Sequence, residues 1–162
     1  MRRVTCGVPA ARYTHGHHES VLRSHRWRTA ANSASYLVPL LEPGMDVLDV
    51  GCGPGTITAD LATLTRPGRT VGIDASEDVI AQASSLDPAA GAEFRVGNLM
   101  ELPFPDGSFD VVHAHQVLQH LADPVGALRE MARVCRAGGW CGPTITSAAP
   151  LCLARPVSAK RS

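Results

Sequence analysis

Between residues 45 and 135, short apolar runs alternate with segments whose apolar residues recur every three or four positions. Short candidate strands lie at 46–50, 70–74, 92–96 and 109–114; all are mainly apolar except 92–96, where Glu93 and Arg95 alternate with apolar residues. They are too short for helices and predict strands. Thr56–Thr65 carries Ile57, Leu61 and Leu64 at helical spacing. Ser76–Leu86 predicts a second helix, with Ser76 as its cap and Glu77 and Asp78 favourable in its first turn. Asp123-Pro124 is a capping residue followed by proline at the first helical position. The helix it starts should present Val125, Leu128, Ala132 and Cys135 on one face and stop at Gly138-Gly139. Trp140–Thr146 predicts a fifth strand, although Gly142-Pro143 in its middle argues against a central position. Upstream, Thr29–Leu41 predicts one helix ended by Glu42-Pro43-Gly44, which Pro39 can end early.

Strands alternating with helices predict an α/β fold: a doubly wound, mostly parallel sheet covered by helices on both faces. The organisation expected is an N-terminal arm and helix over 1–44 that cap the ligand site, a core over 45–146, and an irregular tail over 147–162. Ligands of such sheets bind beyond the C-terminal ends of the strands, near the point where strand order reverses. Four places follow: the loops after residues 50, 74, 96 and 114.

Composition narrows the class. The chain has 162 residues, 44% hydrophobic and 19% charged, which suits one soluble domain. No apolar run approaches the roughly 18 residues that suggest a membrane span. The start has positive charge but no apolar segment behind it, so a cytoplasmic location is expected. Net charge is zero but unevenly spread: residues 42–130 carry 14 acids against four Arg, while both flanks are basic. An acidic centre argues against a nucleic-acid partner. It leaves open a solvated acidic surface or an attraction for a cationic ligand. The five cysteines include no C-x-x-C pair, and the His15-Gly16-His17-His18 cluster has no nearby Cys, so no metal site is indicated.

The four strand ends carry the candidate chemistry. Gly51-Cys52-Gly53-Pro54-Gly55 runs from a strand straight into a helix. Such a loop allows close backbone approach and offers N–H groups to a ligand near a helix N-terminus. Its spacing is G-x-G-x-G, not the G-x-G-x-x-G of dinucleotide sites. Asp49 just before it opposes a pyrophosphate and suits a ligand with a positive end. Asp74 ends the second strand, 19 residues after Gly55; it can accept hydrogen bonds from both hydroxyls of a ribose, or cap the next helix. Asn98, at the third end, can pair with an adenine edge or form a turn. At the fourth end His115 can act as a base, orient a substrate, or pack as a structural histidine. Cys52 is expected to be a small packed residue rather than a reactive thiol.

Together these features resemble the class I S-adenosylmethionine-dependent methyltransferases, and within them the ubiquinone/menaquinone-biosynthesis branch. The resemblance covers about residues 45–140 and rests on "VLDVGCGPG", "VGIDAS", "LPFPDGSFDVVHAHQVLQHLADP" and "LREMARVCRAGG". It implies a Rossmann-like fold, S-adenosyl-L-methionine as cofactor and a small-molecule methyl acceptor. By position it implies that Asp49, Gly51, Cys52, Gly53 and Gly55 line the methionine half of the cofactor. The amino group would be balanced by carboxylate, and the carboxylate by backbone N–H groups. Asp74 and Ala75 would meet the ribose, Asn98 and Leu99 the adenine, and His115 would lie near the sulfonium. The family usually has Asp where this chain has Asn98. "HAHQ" on the fourth strand differs from the Asn-Pro-Pro-Tyr type of motif, which lowers the expectation of nucleobase methylation.

After Trp140 the periodicity is lost, whereas family sheets continue. Doubly wound domains of this kind need roughly 60–100 further residues. The expectation is a C-terminally truncated chain, with homodimerisation through the incomplete sheet edge. An inactive cofactor-binding fragment is the alternative to an active enzyme.

Overall fold

The computed structural model describes residues 28–86 and 91–144. Five parallel strands form one sheet in the order β3-β2-β1-β4-β5. They are β1 (Val47–Val50), β2 (Thr70–Asp74), β3 (Ala92–Val96), β4 (Phe109–His115) and β5 (Cys135–Thr144). Helix α1 is Ala30–Ser33, α2 Thr56–Thr65, α3 Glu77–Ser84 and α4 Pro124–Val134. Among the described residues no helix is long and apolar enough to cross a membrane. Strand order reverses at β1, between β2 and β4, so the loop after β1 opens at the switch point.

The central strands are apolar because both their faces are covered. On one face Leu48, Val50, Val71, Ile73, Val112 and Ala114 pack with Ala127, Met131 and Val134 of α4 and with Leu99, Leu102 and Phe104. On the other, Val47 and Val111 pack with Ile57 and Leu61 of α2 and with Ala30, Ala34 and Leu37. At the N-terminal end of the sheet Arg136 clamps two carboxylates, Asp110 at 2.6 Å and Asp46 at 2.9 Å. Arg133 likewise binds Glu130 and Asp106, and Arg69 and Arg95 bind Glu93. Much of the acidic excess of the middle of the chain is therefore met by arginine away from the ligand end of the sheet.

Several elements differ from the sequence expectation. The helix expected over 29–41 is the short α1 plus a 3-10 turn at Val38–Leu40. The weak helix formers Asn32, Ser33 and Ser35 and the ring of Pro39 do not sustain one helix. Helix α4 stops at Val134, not at Gly138-Gly139, because Cys135 is already extended and enters β5. The two glycines serve an irregularity in that strand: a Cβ on Gly139 would lie 2.5 Å from the Asp110 carbonyl, where the β4–β5 register shifts. Pro143 is accommodated because β5 borders only β4 in the described sheet, and an edge strand tolerates a missing N–H. The buried stripe of α4 is Ala127, Met131 and Val134, while Val125 is 53% exposed. Both stripes satisfy the helical period; the angle at which α4 lands on the sheet chooses between them. Leu64 is also exposed, so α2 packs through Ile57 and Leu61. Residues 1–27 with the histidine cluster, and the tail from 145, lie outside the described residues.

Candidate active site

Asp49 is the last inward residue of β1 but one, 2% exposed, and its Oδ2 accepts a 2.7 Å bond from the Thr58 hydroxyl on α2. Burial pushes this carboxyl up to about 6; the Asp74 charge adds to the rise and the Thr58 bond opposes it. A buried acid held near neutrality in a cleft takes its charge cheaply only when a cation arrives.

The glycine loop that follows turns left-handed at Gly51, Gly53 and Gly55. A Cβ on Gly51 would sit 2.3 Å from Val117, so glycine there admits the turn after β4. Gly55 answers a different need. It lies in the left-handed region at the start of α2, and a Cβ would come within 2.6 Å of the Phe94 ring. Gly55 does not line the cleft, unlike the other residues singled out from the sequence.

The backbone donors of the loop are committed within the protein. Gly51 and Cys52 donate to the Ile73 carbonyl at 2.7 and 3.1 Å, Gly53 to Asp74 Oδ2 at 3.2 Å, and Gly55 to the Cys52 carbonyl at 3.1 Å. Without a ligand, these N–H groups therefore serve the protein's own carbonyls and the Asp74 carboxylate. Such groups satisfy one another when the loop closes tightly on the neighbouring strand.

Asp74 ends β2 half-buried. Its two oxygens accept from Gly53 N and, at 3.1 Å, from Ser76 N. Helix α3 is capped by the Ser76 hydroxyl, not by Asp74. Each carboxylate oxygen retains a second lone-pair direction. Ala75 lines the cleft beside it. Asn98 is exposed; its Oδ1 accepts from Met100 N at 2.9 Å, shaping the turn that brings Leu99 against the core and into the cleft wall. Cys52 is buried, and burial together with the Asp49 and Asp74 charges drives its thiol upward, so it stays protonated and inert.

At the end of β4, His115 is 8% exposed and lines the cleft. Its ring stacks near His113, with centroids 6.4 Å apart. His113 is fully buried; burial, with a contribution from His115, depresses it to about 3, and its Nδ1 bonds the Tyr36 hydroxyl at 2.9 Å. His113 is therefore a neutral structural group behind His115.

Strands β1, β2 and β4, and the turn after β3, thus bring two carboxylates, a left-handed glycine loop, an amide and a histidine to one cleft. Residues 48–142 match the family described as methyltransferase domain. This chain belongs to that family. The chain is 36% identical over 137 residues to an uncharacterised methyltransferase of Schizosaccharomyces pombe, covering 79% of this chain and 49% of that one. It is 41% identical over 100 residues to the demethylmenaquinone methyltransferase of Lactococcus lactis, covering 59% and 40%. Among solved structures, the YcgJ protein of Bacillus subtilis superposes with a TM-score of 0.62 at 28% identity, over 67% of this chain and 48% of that one. The chain spans about half the length of the curated relatives it matches. Its fold is the Rossmann-like fold of the S-adenosylmethionine-dependent methyltransferases.

The methyltransferase cleft also contains residues that the sequence pattern did not single out: Arg28, Thr56, Ile57, Met100, Val117 and Leu121 among them. Ile57 belongs to the helical apolar face of Thr56–Thr65, and Val117 carries no sequence signal of its own. Arg28 was one of six arginines in a basic arm, with no local signal setting it apart.

Proposed function

We propose that this cleft binds S-adenosyl-L-methionine and that the chain carries the catalytic core of a methyltransferase acting on a small-molecule acceptor. The observation that carries the reading is the pair Asp49 and Asp74: carboxylates from the tips of adjacent strands line one cleft, with the left-handed glycine loop between them. Asp49 then meets the cofactor's ammonium, whose charge compensates the buried carboxylate. Asp74 accepts from the ribose hydroxyls, and Ala75 lies beside them. Asn98 and Leu99 serve the adenine, one through its amide and one through apolar contact. The cofactor when bound supplies a methyl group already activated by its sulfonium. What the protein adds is alignment of the acceptor in line with that methyl and exclusion of water. His115 is the group placed to orient the acceptor or take its proton where one must be lost. The likeness to the demethylmenaquinone methyltransferase of L. lactis supports a small-molecule acceptor and a place near the quinone-modifying branch.

Calorimetric titration with S-adenosylhomocysteine tests the reading. Wild type should bind, and Asp74→Ala should bind about 10- to 100-fold more weakly, the loss expected for hydrogen bonds to a charged acceptor. Equal affinity in the variant would sink the ribose assignment. No heat and no competition with wild type would sink the cofactor reading altogether.

A further inference from the structure

We propose that Arg28 is the carboxylate anchor of the cleft, taking the α-carboxylate at the amino-acid end of the cofactor, and that Gln116 aims it. The proposal rests on the cofactor reading above and assigns the one charge of that ligand which the glycine loop leaves unmet.

A zwitterionic amino-acid end brings an anion as well as a cation into the cleft. The anion enters beside Asp49 and Asp74, both carboxylates, and needs a positive partner to be held there. The loop's own N–H groups are engaged in the ligand-free fold. The N–H groups of residues 51, 52, 53 and 55 already donate to Ile73, Asp74 and Cys52, and residue 54 is proline. Among the described residues that line the cleft, Arg28 is the one lysine or arginine. A guanidinium is planar and presents five donors in a fork that matches a carboxylate.

Arg28 is held in place from both sides. Its Nη2 donates to Gln116 Oε1 at 2.5 Å, across 88 residues of sequence. Gln116 is the one described non-glycine residue with positive φ, at 53°. That conformation costs a side-chain-bearing residue about 1–2 kcal/mol, a cost found mainly where function or tight geometry demands it. It reverses the chain after β4 so that Val117 covers Gly51 and the Gln116 amide reaches Arg28. Gln116 does not itself line the cleft, so it is a positioning residue.

On the other side, Thr29 caps α1 through reciprocal bonds with Asn32 at 3.3 and 2.8 Å. Ala30 N donates to Asp60 of α2 at 2.8 Å, and Ala30, Ala34 and Leu37 are buried against Ile57 and Leu61. The segment carrying Arg28 is therefore fastened to the same helix whose first turn, through Thr56 and Ile57, forms part of the cleft wall.

The test compares two ligands on the full chain by calorimetry near neutral pH. One is S-adenosylhomocysteine. The other is its decarboxylated analogue, the 3-aminopropyl thioether of adenosine, which keeps the amine and lacks only the carboxylate. Wild type should prefer the first by about 10- to 100-fold, the range for a charge-assisted pair. Arg28→Met should abolish that preference by weakening S-adenosylhomocysteine alone, and should bind the analogue within about 2-fold of wild type. Arg28→Lys should retain part of the preference, because it keeps the charge but not the fork. Gln116→Ala should fall between wild type and Arg28→Met. If Arg28→Met binds S-adenosylhomocysteine as tightly as wild type, or loses both ligands equally, the anchor is refuted while the cofactor reading stands. Wild type that binds neither ligand overturns both.

Discussion

Replacing Asp49 by Asn should stabilise the ligand-free protein while weakening its hold on the cofactor. Asp49 is 2% exposed, and burial carries its carboxyl from an ordinary 3.8 to about 6. At about 1.36 kcal/mol per pH unit, the span from 3.8 to about 6 makes the ionised form cost the ligand-free fold about 3 kcal/mol near neutrality. The sign follows from the raised value. The folded chain binds this proton more tightly than the unfolded chain, so the group's stabilising contribution is complete below 3.8 and is lost as pH rises through about 6. Asparagine keeps an acceptor for the Thr58 hydroxyl but carries no charge to desolvate. Urea unfolding of wild type and Asp49→Asn should therefore differ by about 2–3 kcal/mol in favour of the variant at about pH 7.5, and by almost nothing near pH 4. Comparing the two chains at each pH cancels the other titrating groups. The most important of these is His113, whose depressed value acts in the opposite direction. The same variant should bind S-adenosylhomocysteine at least about 10-fold more weakly, since the ammonium loses its counter-charge. A variant no more stable than wild type at neutral pH, or a difference that does not change with pH, would refute the reasoning.

Gly51→Ala places a Cβ 2.3 Å from Val117 at a φ of +71°, and should cost about 1–3 kcal/mol in urea unfolding. Adding Val117→Ala should recover part of that loss. Tyr36→Phe removes the bond to His113 Nδ1 in a ring whose Nε2 has no partner among the described residues, and should lower stability by about 1–2 kcal/mol in thermal unfolding. His113 itself, depressed from 6.5 to about 3, should make Asp49→Asn lose stability as pH falls below 6.5. The slope should approach about 1.36 kcal/mol per pH unit; a flat profile down to about pH 4 would contradict its burial as a neutral group. Arg133→Met frees the carbonyls of Leu102 and Phe104 and the carboxylates of Glu130 and Asp106, and should cost about 1–2 kcal/mol by urea unfolding.

The amino-acid sequence by itself determined the strands β1 to β4, the helices α2 and α3 and the start of α4. Most are specified by a short-range signal: an apolar run, a 3.6-residue period, a serine or aspartate cap; β3, which has no buried residue, is specified by alternation between Gly91 and Gly97. The glycine loop and the acid at the tip of β2 were legible for the same reason, because each is attached to a recognisable strand end. Signals that two local solutions satisfy equally well were decided only in three dimensions. The apolar period of α4 admits either Val125 or Ala127 in its buried stripe, and contact with the sheet selects Ala127. Gly138-Gly139 can end a helix or bend a strand, and the close approach of the Asp110 carbonyl makes it a bend. The site followed the same division. Its residue types stand in the sequence, but the commitment of the loop's N–H groups to Ile73 and Asp74 depends on how closely β1 and β2 lie together. The near-neutral Asp49 depends on everything that buries it. Arg28 lines the cleft while bonded to Gln116, 88 residues away, and followed by a helix packed on α2, and no local sequence signal announces either contact. Local periodicity sets elements; desolvation, backbone satisfaction and long-range pairing are properties of the assembled sheet, and they decide what the elements do.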